Sequence, residues 1–251
     1  MKKFLYIFGL FLVIVSCNSE NAPDCFQTVG DRVVEEFVVD SFSKIRIEND
    51  VALQLKQGAT QQVIIKTGKN LLPDISVAIE SETLVVKNNN KCNLVRDYDN
   101  VQVIVTTPNI TEIRNASSRD VKGVGNLQFS SLALISNSTG GVVNARKSGD
   151  FYLNITCDEF SVSANGQSVF YISGSSENAS LVFSDEFPRF EGEGFKIDTL
   201  NIRQRSANKM IVHPIDEIRG VIQGTGDVIS VNRPPVVEVE ELFSGRLIFR
   251  D

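Results

Sequence analysis

The chain of 251 residues has no Trp, two Met, a single His and four Cys, so the side chains that most often carry metal, redox or general-base chemistry are scarce. His213 stands directly before Pro214, is expected in a loop, and has no second His with which to share a metal. No pair of Cys has zinc-site spacing, and no Gly-x-Ser-x-Gly elbow supplies a nucleophile. No catalytic residue, metal ligand or cofactor is expected. Basic charge is also in short supply: 25 Lys and Arg face 31 Asp and Glu, a net charge of −6. An acidic chain lacks the electrostatic footprint of phosphate-backbone binding, which removes nucleic acid as a partner. Helical spacing is missing as well, because no window of 12 or more residues after the first segment repeats its apolar positions every three to four residues.

The first segment is built for export. Lys2 and Lys3 precede an uncharged run from Phe4 to Val15, 12 residues long, whereas a membrane-spanning helix needs about 20. Ile14-Val15-Ser16-Cys17 resembles a bacterial lipobox, an aliphatic and a small residue ahead of a Cys whose thiol takes diacylglycerol. Residues 1–16 are therefore read as a lipoprotein signal peptide and Cys17 as the lipidated first mature residue. The alternative is an ordinary signal peptide with Cys17 incidental. Several acyl chains give durable anchoring where one gives marginal binding, so the membrane becomes a partner through Cys17. Asn18 after it favours the outer membrane of a two-membrane envelope. Removal of Lys2 and Lys3 lowers Lys plus Arg from 25 to 23 against 31 acids, a net charge of −8.

Residues 17–30 are polar and read as a tether. Cys25 and Cys92 lie in polar, turn-rich stretches and are expected to form a disulfide, which an exported protein permits. Cys157, in a strand-like run, is expected as a small buried hydrophobe.

Residues 31–251 are expected to form one domain in two textures. Over 31–108 the period is two: Ile45 and Ile47; Val51, Leu53 and Leu55; Val63 and Ile65; Ile75, Val77 and Ile79; Leu84 and Val86; Val101, Val103 and Val105. Over 109–251 the sequence echoes itself, with small or polar turn formers ahead of an apolar residue at 121, 142, 169, 195, 210 and 228. Those positions lie 21, 27, 26, 15 and 18 apart, near one coil of a β-solenoid. The class is all-β, read as a single-stranded right-handed β-helix in which each coil buries its inner face only against its neighbours. A β-sandwich, whose strands and turns recur every ~8–12 residues, is the alternative.

Phe42-Ser43-Lys44-Ile45, Val51-Ala52-Leu53-Gln54-Leu55-Lys56-Gln57-Gly58, Lys69-Asn70-Leu71-Leu72, Val103-Ile104-Val105-Thr106-Thr107-Pro108-Asn109-Ile110 and Gly224-Thr225-Gly226-Asp227-Val228 follow one another in an order that resembles the "putative auto-transporter adhesin, head GIN domain" family. The resemblance implies a right-handed β-helix in a cell-envelope lipoprotein and carries no catalytic residues with it.

An enzyme reading rests on Asp185, Glu186, Glu191 and Glu193, acids close in sequence such as glycan-active β-helix enzymes use, with Arg203, Arg205 and Lys209 on an outer face. Charges outside a solenoid also simply keep it soluble. The expected function is a non-catalytic adhesion-type module that binds a glycan or an envelope protein through outward polar rows, with Arg203, Arg205 and Lys209 as the candidate surface. The alternatives are a glycan-degrading enzyme and a passive structural lipoprotein.

Overall fold

Period-two alternation of β-branched and polar residues becomes strand throughout, because one face of each segment can be buried while the other stays wet. The computed structural model describes residues 25–90, 92–94, 97, 100–142 and 144–250. The signal peptide and Cys17 lie outside the described residues. The strands are β1 (Arg32–Phe37), β2 (Lys44–Asn49), β3 (Ala52–Gln57), β4 (Gln62–Gly68), β5 (Ile75–Glu80), β6 (Thr83–Asn88), β7 (Gln102–Thr107), β8 (Glu112–Ser117), β9 (Val121–Ser136), β10 (Phe151–Ala164), β11 (Val169–Phe183), β12 (Arg189–Gln204), β13 (Met210–Ile222), β14 (Val228–Ser230), β15 (Val236–Glu241) and β16 (Leu247–Phe249). The fold is all-β.

From β9 onward the pairing is parallel, β9 to β10 to β11 to β12 to β13, and then β14 with β16 and β15 on separate halves of β13. Register places like residues over one another in two inward columns. One runs Leu53, Val121, Phe151, Phe170, Phe190, Met210, Val228, Leu247. The other runs Ile45, Ile113, Leu134, Val162, Leu181, Ile202, Gly220, Val239. Phe151 and Phe170 stack with ring centroids 4.7 Å apart, close to the strand spacing itself.

The register corrects the expected repeat positions. Equivalent residues at 121, 151, 170, 190, 210, 228 and 247 lie 30, 19, 20, 20, 18 and 19 apart, a steadier period than the turn motifs suggested. Val142 belongs to a long corner between β9 and β10. Val169 is the half-buried neighbour of the inward Phe170, and Phe195 lies beyond a bulge in β12, opposite Gly174.

Corners are where many buried polar groups gather, and several are satisfied within the turn. Asn115 Oδ1 accepts from Ser117 N, Asn115 Nδ2 donates to Arg119 O, and Ser117 Oγ accepts from Arg119 N. Gln204, Ser206 and Asn208 repeat the pattern further along the stack. At the end of the same corners an Asp just before the inward residue ties one repeat to the next: Asp120 Oδ1 accepts from Asp150 N, Asp150 Oδ1 from Val169 N, and Asp227 Oδ1 from Arg246 N.

The N-terminal region closes one end of the stack differently. β1 pairs antiparallel with β4 and β4 antiparallel with β7, while β7, β3 and β9 continue in parallel. On the second half, β5 pairs antiparallel with β6, which joins β2 and β8 in parallel. Cys25 and Cys92 are disulfide-bonded. Residues 25–30, grouped with the tether by composition, lie against this body: Gln27 is buried and donates to Asn70 O, and Asn70 N donates to Val29 O.

Candidate functional site

Among the described residues two concave surfaces stand out, one along the long strands and one beside the N-terminal strands. The first is a groove of about 510 Å³ across the outer face of β9 to β12. Its floor is the strand backbone along Leu132, Phe160 and Ala179, whose side chains are buried in the core, and its walls are the neighbouring outward rows Ser131, Glu159, Asn178, Thr199 and Ala133, Ser161, Ser180, Asn201. Small side chains in the second row leave the groove open, and Asn178 Nδ2 donates to Glu159 Oε1 at 2.8 Å. Beside it the long strands bend at Asp158, Glu177 and Asp198, exposed residues left out of the ladder on successive strands. Three stacked carboxylates give this side a negative field.

The second is a cleft of about 640 Å³ between β1, β4 and β7 on one side and the corner before β9 on the other. Arg32, Lys66, Arg119 and Lys122 line it against one acid, Asp120. Arg32 Nη2 donates to the buried Asn100 Oδ1 at 2.9 Å, Lys122 Nζ lies 3.4 Å from Asp120 Oδ2, and Arg119 Nε lies 3.9 Å from Asp50 Oδ1. Lys122 also sits over the Tyr152 ring, 5.3 Å from its centroid, and Tyr152 stacks on Tyr171 at 4.7 Å.

The residues singled out by sequence are placed as follows. Arg203 is exposed on β12, the next outward position after Asn201 at the rim of the groove. Arg205 and the half-buried Lys209 lie in the corner that follows β12, so the three do not form one flat patch. Glu186 pairs with Lys147 at 2.7 Å and Glu191 with Arg189, so these acids are engaged with cations individually. His213 is on strand β13 rather than in a loop, and its Nδ1 lies 2.9 Å from Glu193 O. Cys157 is buried, its thiol donates to Ser176 Oγ, and burial pushes its pKa up, the opposite of an activated thiol. Among the described residues no group of three His, Cys, Asp or Glu is arranged to hold a metal ion.

Sequence reading missed both surfaces. The cleft joins positions 32, 66, 119 and 122, which only the ladder brings together. The one available signal for the groove was the small or polar residue three positions after each bend acid, Ser161, Ser180 and Asn201.

An all-β chain of parallel repeats closed at one end by antiparallel strands is the class this architecture defines. The chain belongs to the family described as "Putative auto-transporter adhesin, head GIN domain", whose model matches residues 41–234. It is similar in fold to a "putative adhesin" of Bacteroides fragilis NCTC 9343, with a TM-score of 0.78 and 16% identity over 89% of this chain and 99% of that one. A "putative adhesin" of Parabacteroides distasonis ATCC 8503 gives 0.66 and 12% over 89% and 100%. A "Putative lipid binding protein" of the same strain gives 0.58 and 12% over 88% and 98%. No curated protein matches the chain.

Proposed function

We propose that the protein is a non-catalytic binding module of the bacterial cell envelope, held at the outer membrane by lipid on Cys17, whose parallel repeats form a single-stranded right-handed β-helix that engages an extended glycan. The groove on β9 to β12 carries this reading. Its length follows the stacking direction, and its walls offer hydroxyls and amides at the ~4.8 Å strand spacing, a repeating pattern suited to a repeating polymer. The column of Asp158, Glu177 and Asp198 beside it selects against anions, so the ligand of this groove is an uncharged polysaccharide segment. Arg203 extends the contact beyond Asn201. Membership of an adhesin-named family and the likeness to adhesin-named structures support the same reading.

The test is a glycan array probed with the full chain in detergent micelles, repeated with Ser161→Tyr, which fills the groove from an outward position. Saturable binding of neutral glycans that Ser161→Tyr abolishes without lowering Tm supports the groove. Release of shortened products would place the protein among the glycan-degrading enzymes, and capture of a protein with no glycan binding would shift the partner to an envelope protein. For the anchor, Cys17→Ser should move the protein from the membrane fraction to the soluble fraction.

A further inference from the structure

We propose that the cleft lined by Arg32, Lys66, Arg119 and Lys122 is a second binding site, for an acidic saccharide whose carboxylate, sulfate or phosphate sits among these cations and whose following sugar lies along Tyr152 and Tyr171. The site is independent of the neutral-ligand groove, which lies on the other half of the long strands.

Four observations carry it. In a chain with 31 acids against 25 bases, this cleft collects four cations and one carboxylate among its described lining residues. Neither Arg32 nor Lys66 has a carboxylate partner among the described residues, and Arg32 is held in place through the buried Asn100. A guanidinium oriented in advance loses less freedom when it grips a planar oxyanion. Lys122 is held over the Tyr152 ring, 5.3 Å from its centroid, so the cationic cleft is continuous with the aromatic side chains beside it.

The fourth observation gives the ligand its shape. Register sets Gln54, Lys122, Tyr152 and Tyr171 side by side on β3, β9, β10 and β11, so the cleft runs into a strip about 14 Å long at three strand spacings. Tyr152 and Tyr171 are 38% and 40% exposed with their rings stacked, and the Tyr152 hydroxyl donates to Asp150 Oδ2. A small inorganic anion would use the cleft and leave the strip idle. A saccharide uses both, with its charged group against the cations and its C–H and O–H groups against the tyrosines. Asp120 and Asp150 flank the strip, Asp120 already paired with Lys122 and Asp150 accepting from Val169 N, so they limit the site to one anionic group at the cleft end.

The experiment is calorimetric titration of the full chain in detergent micelles with oligogalacturonate, a sulfated heparin tetrasaccharide, inorganic phosphate and neutral dextran. Wild type is expected to bind at least one acidic oligosaccharide, to weaken steeply with salt, and to ignore dextran at the cleft. Lys66→Gln with Lys122→Gln should weaken that binding at least tenfold, while Tyr171→Ala weakens the oligosaccharide and leaves phosphate unchanged. All three positions point outward, so an unchanged Tm certifies the fold, and Ser161→Tyr should leave acidic binding intact. Absence of acidic-oligosaccharide binding, or binding that the double variant does not alter, overturns the proposal. Phosphate binding alone, insensitive to Tyr171→Ala and without saccharide affinity, overturns the saccharide assignment.

Discussion

The region before residue 108 and the stack after residue 120 bury apolar surface by different means. In the first, strands of six or seven residues alternate aliphatic side chains, and antiparallel pairing of β1, β4 and β5 covers the open edge of the parallel ladder. In the second, repeats of 18 to 20 residues after Phe151 lay aromatic and aliphatic side chains over one another in register, and no hairpin interrupts them. At the far end β15 and β16 leave Val236, Val237, Leu242, Phe243 and Ile248 exposed, with Glu238, Glu240 and Glu241 placing charge on the edge. The contrast teaches that a repeat stack draws stability from neighbours, so its two ends need different treatment from its middle.

The sharpest way to break the comparison is to cut a rung from the aromatic column. Phe170 is fully buried between Phe151 and Phe190, so Phe170→Ala should cost about 3–5 kcal/mol in urea unfolding, more than Val63→Ala in the capped region. Next comes the staple. Cys25 and Cys92 close a loop with a sequence separation of 67, so Cys25→Ser with Cys92→Ser should cost about 2–4 kcal/mol. Because the link touches only the N-terminal region, hydrogen exchange should rise first in residues 25–30 and β4, leaving β10 to β13 protected.

A smaller effect separates two kinds of glycine. A Cβ on Gly226 would meet Asn208 O at 1.9 Å, because successive corners approach too closely for any side chain, whereas one on Gly125 meets nothing within 4 Å and only the positive φ of 74° opposes it. Gly125→Ala should cost about 1 kcal/mol from backbone strain. Gly226→Ala should lower the urea midpoint clearly more, since backbone must move.

These residues also show what was legible. The alternating sets at 45 to 105 fall on β2 through β7, with Val51 and Val101 one residue ahead of β3 and β7, because a half-buried strand writes its pattern directly into hydropathy. The corner motifs were legible as corners and misleading as rulers: Ser, Asn and Gly serve close approach at Gly226, positive φ at Gly140 and side-chain capping at Ser206, so the same residue types recur at unequal depths in the repeat. Asp directly before an inward apolar residue, at 120, 150 and 227, marked the true phase more faithfully. The cleft was not legible, since Arg32, Lys66 and Lys122 meet only through pairing, and nearness in sequence drew attention to Arg203, Arg205 and Lys209 instead.

The least change tests how one such Asp couples neighbouring repeats. Burial is the largest influence on Asp150 and raises its pKa, the hydrogen bond from Val169 N opposes that, and the Asp120 carboxylate adds to the rise. A carboxylate with a raised folded pKa binds its proton more tightly in the native state than in the unfolded chain. Stability from this group is therefore present at low pH and declines as pH climbs from the ordinary Asp value of about 3.9 through the raised one. Asp150→Asn keeps an oxygen for Val169 N and removes the charge, so it should flatten that segment of the Tm-against-pH curve and raise Tm slightly at neutral pH. Asp150→Ala, which leaves Val169 N without its acceptor, should lower Tm at every pH. Equal losses for Asn and Ala would show that the Asp120–Asp150–Val169 chain depends on charge rather than on the hydrogen-bond geometry that repeats at Asp227 and Arg246.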